Sequence, residues 1–249
     1  MTQPSQQSSP PTLDVLADEA FERILCVAAH PDDLEYGTAA AVDRWVRAGK
    51  HVTYLLVTRG EAGIDTVPPA QAGPLREQEE RDGAARVGVD VVEFLDGFSD
   101  GVVEYGLPLR RAIAREIRVR RPDLVVTATY ADRFPNGAVN QADHRAVGLA
   151  VVDARADAGN RWIFPDLVDE GHDPCAVPRV LVVADPHPTH FVDVSDHLDT
   201  AIASLSAHAA YLEALGPDYP TPAELLGSVL GAPAEATGVP YAVTGRLIG

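Results

Sequence analysis

Lysine is nearly missing from this 249-residue chain: Lys50 is the only one, and arginine carries almost all of the positive charge. With 37 acidic residues against 20 basic ones, the formal net charge is -17. A surface of that sign repels phosphate backbones and anionic lipid, so neither nucleic acid nor a membrane is expected as a partner. Cysteine is also scarce. Cys26 and Cys175 cannot build a disulfide framework, and Cys26 lies in an apolar run, which implies buried free thiols in a reducing compartment. No apolar stretch is long enough to span a bilayer. Met1 to Thr12, rich in Gln, Ser and Pro, has neither the basic nor the apolar region of a secretory signal. The expected location is therefore cytoplasmic.

What is present is an alternation of apolar runs and helical patterns. Residues 1–20 are expected to be disordered, and 21–249 to form a single domain. The runs at Ile24–Ala29, His51–Thr58, Val91–Leu95, Leu124–Thr129, Arg179–Ala184 and Phe191–Val194 read as strands. Between them, Gly37–Gly49, Leu75–Val87, Leu109–Ile117 and Asp143–Ala158 read as helices, and a last helix is expected over Asp196–Leu215, stopped by Gly216. Strands that are apolar throughout, alternating with helices, predict an α/β fold: a Rossmann-like three-layer sandwich around a mostly parallel sheet. The Pro-, Gly- and Ala-rich tail after Gly216 gives little signal.

In such sheets ligands bind beyond the carboxyl ends of the strands, where the strand order reverses. The first strand ends in His30-Pro31-Asp32-Asp33-Leu34-Glu35, and Asn140-Gln141-Ala142-Asp143-His144 opens a helix after the fourth. Asp32, Asp33 or Asp143 could each simply cap a helix. His144 at a helix start is less expected, because the dipole disfavours an imidazolium there, whereas a neutral metal ligand meets no such penalty. His30, Asp33 and His144 make a two-imidazole, one-carboxylate set with room for water, the pattern of catalytic Zn²⁺, with Fe²⁺ also fitting.

These motifs, with Thr58-Arg59-Gly60-Glu61-Ala62-Gly63, Arg76-Glu77-Gln78-Glu79, Asp100-Gly101 and Asp143-His144 in order, resemble the PIG-L/LmbE-like deacetylases over about residues 24–215. The resemblance implies zinc-dependent hydrolysis of an N-acyl, typically N-acetyl, amide on an amino sugar or related small molecule. It implies that His30, Asp33 and His144 hold the metal, that Asp32 is the general base, and that Arg76, Asp100 and Glu61 lie on the substrate side. For Arg76 a surface ion pair on a highly charged helix is the alternative. Asp143 would steady a neighbouring group.

One position departs from the family pattern, which commonly reads His-x-Asp-His: Gln141 replaces the first histidine. A glutamine amide can donate a hydrogen bond to an oxyanion but cannot deliver a proton. Either Asp32 both takes and returns the proton, or His187, His190 or His208 substitutes. A catalytically weakened relative that binds a sugar or a partner is the alternative function. A phosphoacceptor domain needs a lysine after its fifth strand and a dinucleotide-binding enzyme a glycine-rich first turn, and this chain has neither. The arginines from Arg110 to Arg121 read as a solvated helix face. Substrate, acyl group, native metal and assembly into a homo-oligomer are left open.

Overall fold

The computed structural model describes residues 13–249. The run after Arg23 forms strand β2 (Arg23–Ala28), and its side chains divide between two cores. Ile24, Cys26 and Ala28 enter one; Leu25 and Val27 enter the other. A strand apolar on both faces has to be covered on both, and the rest of the fold supplies the covers.

Strands β1 (Asp14–Val15), β3 (His51–Leu56), β4 (Val91–Phe94), β5 (Leu124–Ala128), β6 (Arg179–Val183), β7 (His190–Asp193) and β8 (Ala242–Ile248) join β2 in one sheet, ordered β1-β7-β8-β6-β5-β2-β3-β4. All pairings are parallel except those of β8, which runs antiparallel between β6 and β7. One face carries α2 (Ala39–Arg47), α3 (Pro69–Arg86), α7 (Leu198–Leu205) and α9 (Pro222–Gly231). The other carries α4 (Leu107–Arg120) and α5 (Ala142–Gly159). Short helices α1 (Asp33–Gly37), α6 (Asp166–Asp169), α8 (Ala209–Ala214) and α10 (Ala234–Thr237) complete the list. This is the expected three-layer α/β sandwich. The chain leaves β2 toward β3 and β4, then returns to β5 on the other side of β2, so the strand order reverses between β2 and β5.

Several expectations need correction. Residues 1–12 of the expected disordered segment lie outside the described residues, but 13–20 are ordered. Asp14–Val15 pairs with β7, and Leu16 and Phe21 are buried, Phe21 meeting the Trp45 ring edge-on. The Asp18 carboxylate accepts from Arg44 and from the Trp45 indole, and the single lysine, Lys50, donates to the Asp18 and Phe21 carbonyls. Helix α3 begins at Pro69, six residues before Leu75, because Pro69 at the first helical position is pre-set for helix and lacks an N–H that would go unpaired. The long helix expected over Asp196–Leu215 is two, α7 and α8, broken at Ser206–His208, where His208 turns inward and is fully buried. The tail holds α9, closed at its start by a Thr221–Glu224 capping box, and the antiparallel β8. The α4 arginines are not a free solvated face. Arg110, Arg111, Arg115 and Arg120 pair with acidic residues, and Arg118 is buried, donating to backbone carbonyls.

Candidate active site

Two turns bring the site together. Beyond β2 the chain makes a tight turn in which the Asp33 carboxylate accepts from the Ala29 and His30 amides through Oδ2. That leaves Asp33 Oδ1 facing His144 Nε2 at 3.0 Å, while His30 Nδ1 stands 3.5 Å from Oδ2. The His30 and His144 ring centroids are 5.2 Å apart. His30, Asp33 and His144 therefore converge, with one ligand atom of each within 4.8 Å of the others. Ligands about 2.0–2.2 Å from a tetrahedral ion stand roughly 3.4 Å from one another, so the donor set fits a divalent cation.

Both histidines are oriented from behind. Asn140 Oδ1 meets His144 Nδ1 at 3.1 Å, while its amide nitrogen donates to the Thr129 and Ala131 carbonyls. His144 then holds a proton on Nδ1, which leaves Nε2 as the nitrogen turned toward Asp33. His30 Nε2 faces Asp143 Oδ2 at 3.2 Å and Asp100 Oδ1 at 3.0 Å. Asp143 is buried and also accepts from the Gly101 and Val103 amides, so it anchors a loop and the His30 ring rather than capping its helix. Burial alone would depress the His30 pKa, but the hydrogen bonds its ring donates to Asp100, Asp143 and Asp33 push it up to about 12. Burial raises Asp33 too, yet the charge and hydrogen bond of His144 hold it below the usual carboxylate range. A protonated His30 would have to give up that proton to hold a cation.

Asp32 sits beside this set without a hydrogen bond to it. Its backbone is left-handed (φ 86°), a costly conformation for a side-chain-bearing residue. Two side chains hold it: Glu80 Oε2 accepts the Asp32 N–H at 3.0 Å, and the Arg76 guanidinium meets Asp32 Oδ1 at 3.0 Å while donating to the Pro31 carbonyl. Arg76 is buried and stacks 3.7 Å from the Tyr211 ring centre, which excludes the alternative of a surface ion pair. Burial drives the Asp32 pKa well above its ordinary value, and the Arg76 charge only partly offsets it.

The remaining expected residues are more scattered. Glu61 spends both oxygens on loop amides, accepting from Asp100 and Arg59, and Asp100 Oδ2 accepts the Ala62 amide. Gln141 is exposed at the start of α5. Of the histidines considered as proton donors, His208 is fully buried against Glu35 and Glu80, and His190 opens β7, with β8, β6 and β5 between it and β2. Sequence reasoning passed over Asn140, Glu80 and Tyr211. Only Asn140 left a signal, lying one helical turn before His144.

Residues 25–155, just over half of the chain, match the PIG-L family, described as GlcNAc-PI de-N-acetylase. The chain belongs to that family. It is 29% identical over 202 residues to a diacetylchitobiose deacetylase of Thermococcus kodakarensis, covering 79% of this chain and 73% of the relative. To a 1D-myo-inositol 2-acetamido-2-deoxy-alpha-D-glucopyranoside deacetylase of Kineococcus radiotolerans it is 28% identical over 251 residues, covering 75% and 68%. The N,N'-diacetylchitobiose deacetylase of Pyrococcus horikoshii superposes with a TM-score of 0.83 at 21% identity, over 92% of this chain and 85% of that one, a likeness of fold. Of the PIG-L motifs quoted from the sequence, His30–Asp33 follows β2, Thr58–Gly63 follows β3, Arg76–Glu79 lies in α3 and Asp143-His144 opens α5 after β5.

Proposed function

We propose that this chain is a zinc-dependent hydrolase that removes an acyl group, typically acetyl, from the nitrogen of an amino sugar or related small molecule. The observation that carries the reading is the convergence of His30, Asp33 and His144 with Asp32 poised beside them, in a chain whose PIG-L relatives are named as deacetylases of N-acetylated amino sugars. Zinc held by the three residues supplies Lewis acidity and lowers the pKa of a water toward about 7; the same donors accept Fe²⁺. Asp32 takes the proton of the attacking water and returns it to the departing amine. Its fixed backbone and its Arg76 partner hold the carboxylate at one place through both transfers. Gln141 donates an amide N–H to the developing oxyanion. Asp143 keeps His30 oriented, and Arg76, Asp100 and Glu61 shape the substrate side of the pocket.

The partner is a small N-acylated molecule and the location cytoplasmic. No described helix is long and apolar enough to cross a membrane. The test is acetate release from N-acetylglucosamine derivatives. Asp32→Asn is expected to lose about 10²–10⁴-fold in kcat, and His144→Ala to lose both metal and activity. Full activity in either zinc-loaded variant overturns the assignment. Gln141, which cannot carry a proton, favours one other reading: a relative that binds its sugar without turnover. Zinc-replete protein giving no product in a single-turnover assay would select it.

A further inference from the structure

Behind Asp32 lies a second group of ligand-type side chains that the proposed reaction does not use. Glu35 on α1, Glu80 on α3 and His208 at the α7–α8 break all have fully buried side chains. His208 has no hydrogen-bond partner on either ring nitrogen, and Glu35 Oε2 and Glu80 Oε1 are equally unsatisfied. Four buried polar atoms without partners in one spot are more than a folded core ordinarily carries and call for an occupant. The Tyr54 hydroxyl on β3 is also buried and unpartnered. It is near enough that, after burial itself, the charges of Glu35 and Glu80 help drive its pKa up.

The distances discriminate between hydrogen bonding and coordination. His208 Nε2 is 3.6 Å from Glu35 Oε2 and 3.7 Å from Glu80 Oε2. A hydrogen bond from a protonated carboxyl to an imidazole requires a separation of about 2.7–3.2 Å. Ligands about 2.0–2.2 Å from a common ion lie roughly 3.3–3.6 Å apart. One ligand atom of each residue lies within 4.8 Å of the others, as at the His30 set. Gly83 lets α3 close up against this group. A Cβ on Gly83 would stand 3.2 Å from His208 Nε2, 3.1 Å from the Ser204 carbonyl and 3.4 Å from Glu35 Oε1. Two carboxylates and a neutral imidazole balance a charge of +2 and suit a borderline cation rather than calcium or magnesium.

We propose that Glu35, Glu80 and His208 form a second, structural divalent-cation site, distinct from the one proposed for hydrolysis. Through Glu80, whose Oε2 also accepts the Asp32 amide, the ion would brace the left-handed turn that carries Asp32. The inference stands independently of the deacetylase reading.

Native protein is loaded with zinc, freed of excess by desalting, and its metal counted per chain by mass spectrometry. Wild type is expected to hold two ions, and His144→Ala and His208→Ala one each. A chelator should strip one wild-type ion readily and release the other only on unfolding, because the His144 and Asp33 side chains are partly exposed (19% and 14%) while those of the second set are fully buried. Glu35→Gln and Gly83→Ala serve if His208→Ala does not fold, and each is expected to fall to one ion. A wild type with one ion, lost in His144→Ala, overturns the second site and leaves the deacetylase reading standing. A wild type with none overturns both. Equal metal content in wild type and the folded second-site variants also overturns the proposal.

Discussion

Asn140 determines which nitrogen His144 offers, and it does so with an oxygen whose own amide is pinned to two carbonyls. Removing such a partner typically weakens metal binding by about 10–100-fold without touching a ligand. Asn140→Ala is expected to show that loss in competition with a chromophoric chelator, and Asn140→Asp, which still accepts from Nδ1, should recover most of it. A second test concerns the thiols. Burial, with a smaller push from Glu35, raises the Cys26 pKa, and burial raises that of Cys175. The reactive thiolate is therefore suppressed at pH 8, the more so because both cysteines are buried. Native protein should leave a disulfide reagent unreacted over a period in which denatured protein titrates as two thiols. Fast labelling of native Cys26 would mean that β2 opens. At this scale the sequence disclosed the residues whose chemistry is unusual for their place, such as a histidine opening a helix. It concealed Glu80, one acid among several on a charged helix, because its role depends on a turn 48 positions away.

At the scale of elements, α5 must lie close against β5 for His144 to reach Asp33. Gly148 makes that approach feasible: a Cβ there would come within 2.6 Å of the Ala128 carbonyl and 3.3 Å of Tyr130 Cβ. Backbone cannot yield as a flexible side chain can, so Gly148→Ala should cost about 1–3 kcal/mol. It should also displace the helix start and weaken metal binding. Gly227→Ala on α9, with nothing within 4 Å, is the control, expected to gain about 0.5–1 kcal/mol from helix propensity alone. Paired thermal melts and metal titrations check both; an unshifted metal affinity in Gly148→Ala would refute the coupling. Strands β2, β3, β5 and β6 were legible because they are short, largely apolar runs, and the helices between them because their periodicity is interrupted by glycine. Strand β8 was not. Its residues Ala242–Ile248 include Gly245, admitted because a Cβ there would meet Leu181 and the Val182 carbonyl at 2.8 Å. A glycine and an arginine in a seven-residue strand erase the local signature. The α7–α8 break was hidden for a similar reason: the apolar face continues through it, and only the burial of His208 ends the helix.

For the whole molecule, the metal-free site is a place where stability is withheld. With a formal charge of -17, the chain concentrates further acids at the β2–β5 switch, where Asp33, Asp100 and Asp143 surround one histidine. His30 and His144 are the imidazoles that face these acids, and a bound cation would take over their neutralising work. Anything that binds only the folded state stabilises it by mass action, about 2.7 kcal/mol at a concentration one hundred times Kd. For a domain of this size each kcal/mol moves Tm by roughly 2–4 °C, so zinc should raise Tm by about 5–11 °C over chelator-treated protein. The readily exchangeable part of that shift should vanish in His144→Ala. The effect should also weaken as pH falls, since His30 keeps its proton more firmly in acid and the ion must compete for the same lone pair. Scanning calorimetry at pH 7.5 and 5.5, with zinc or chelator, separates the terms. A shift of equal size at both pH values, or one retained in His144→Ala, would place the bound ion somewhere other than between β2 and β5.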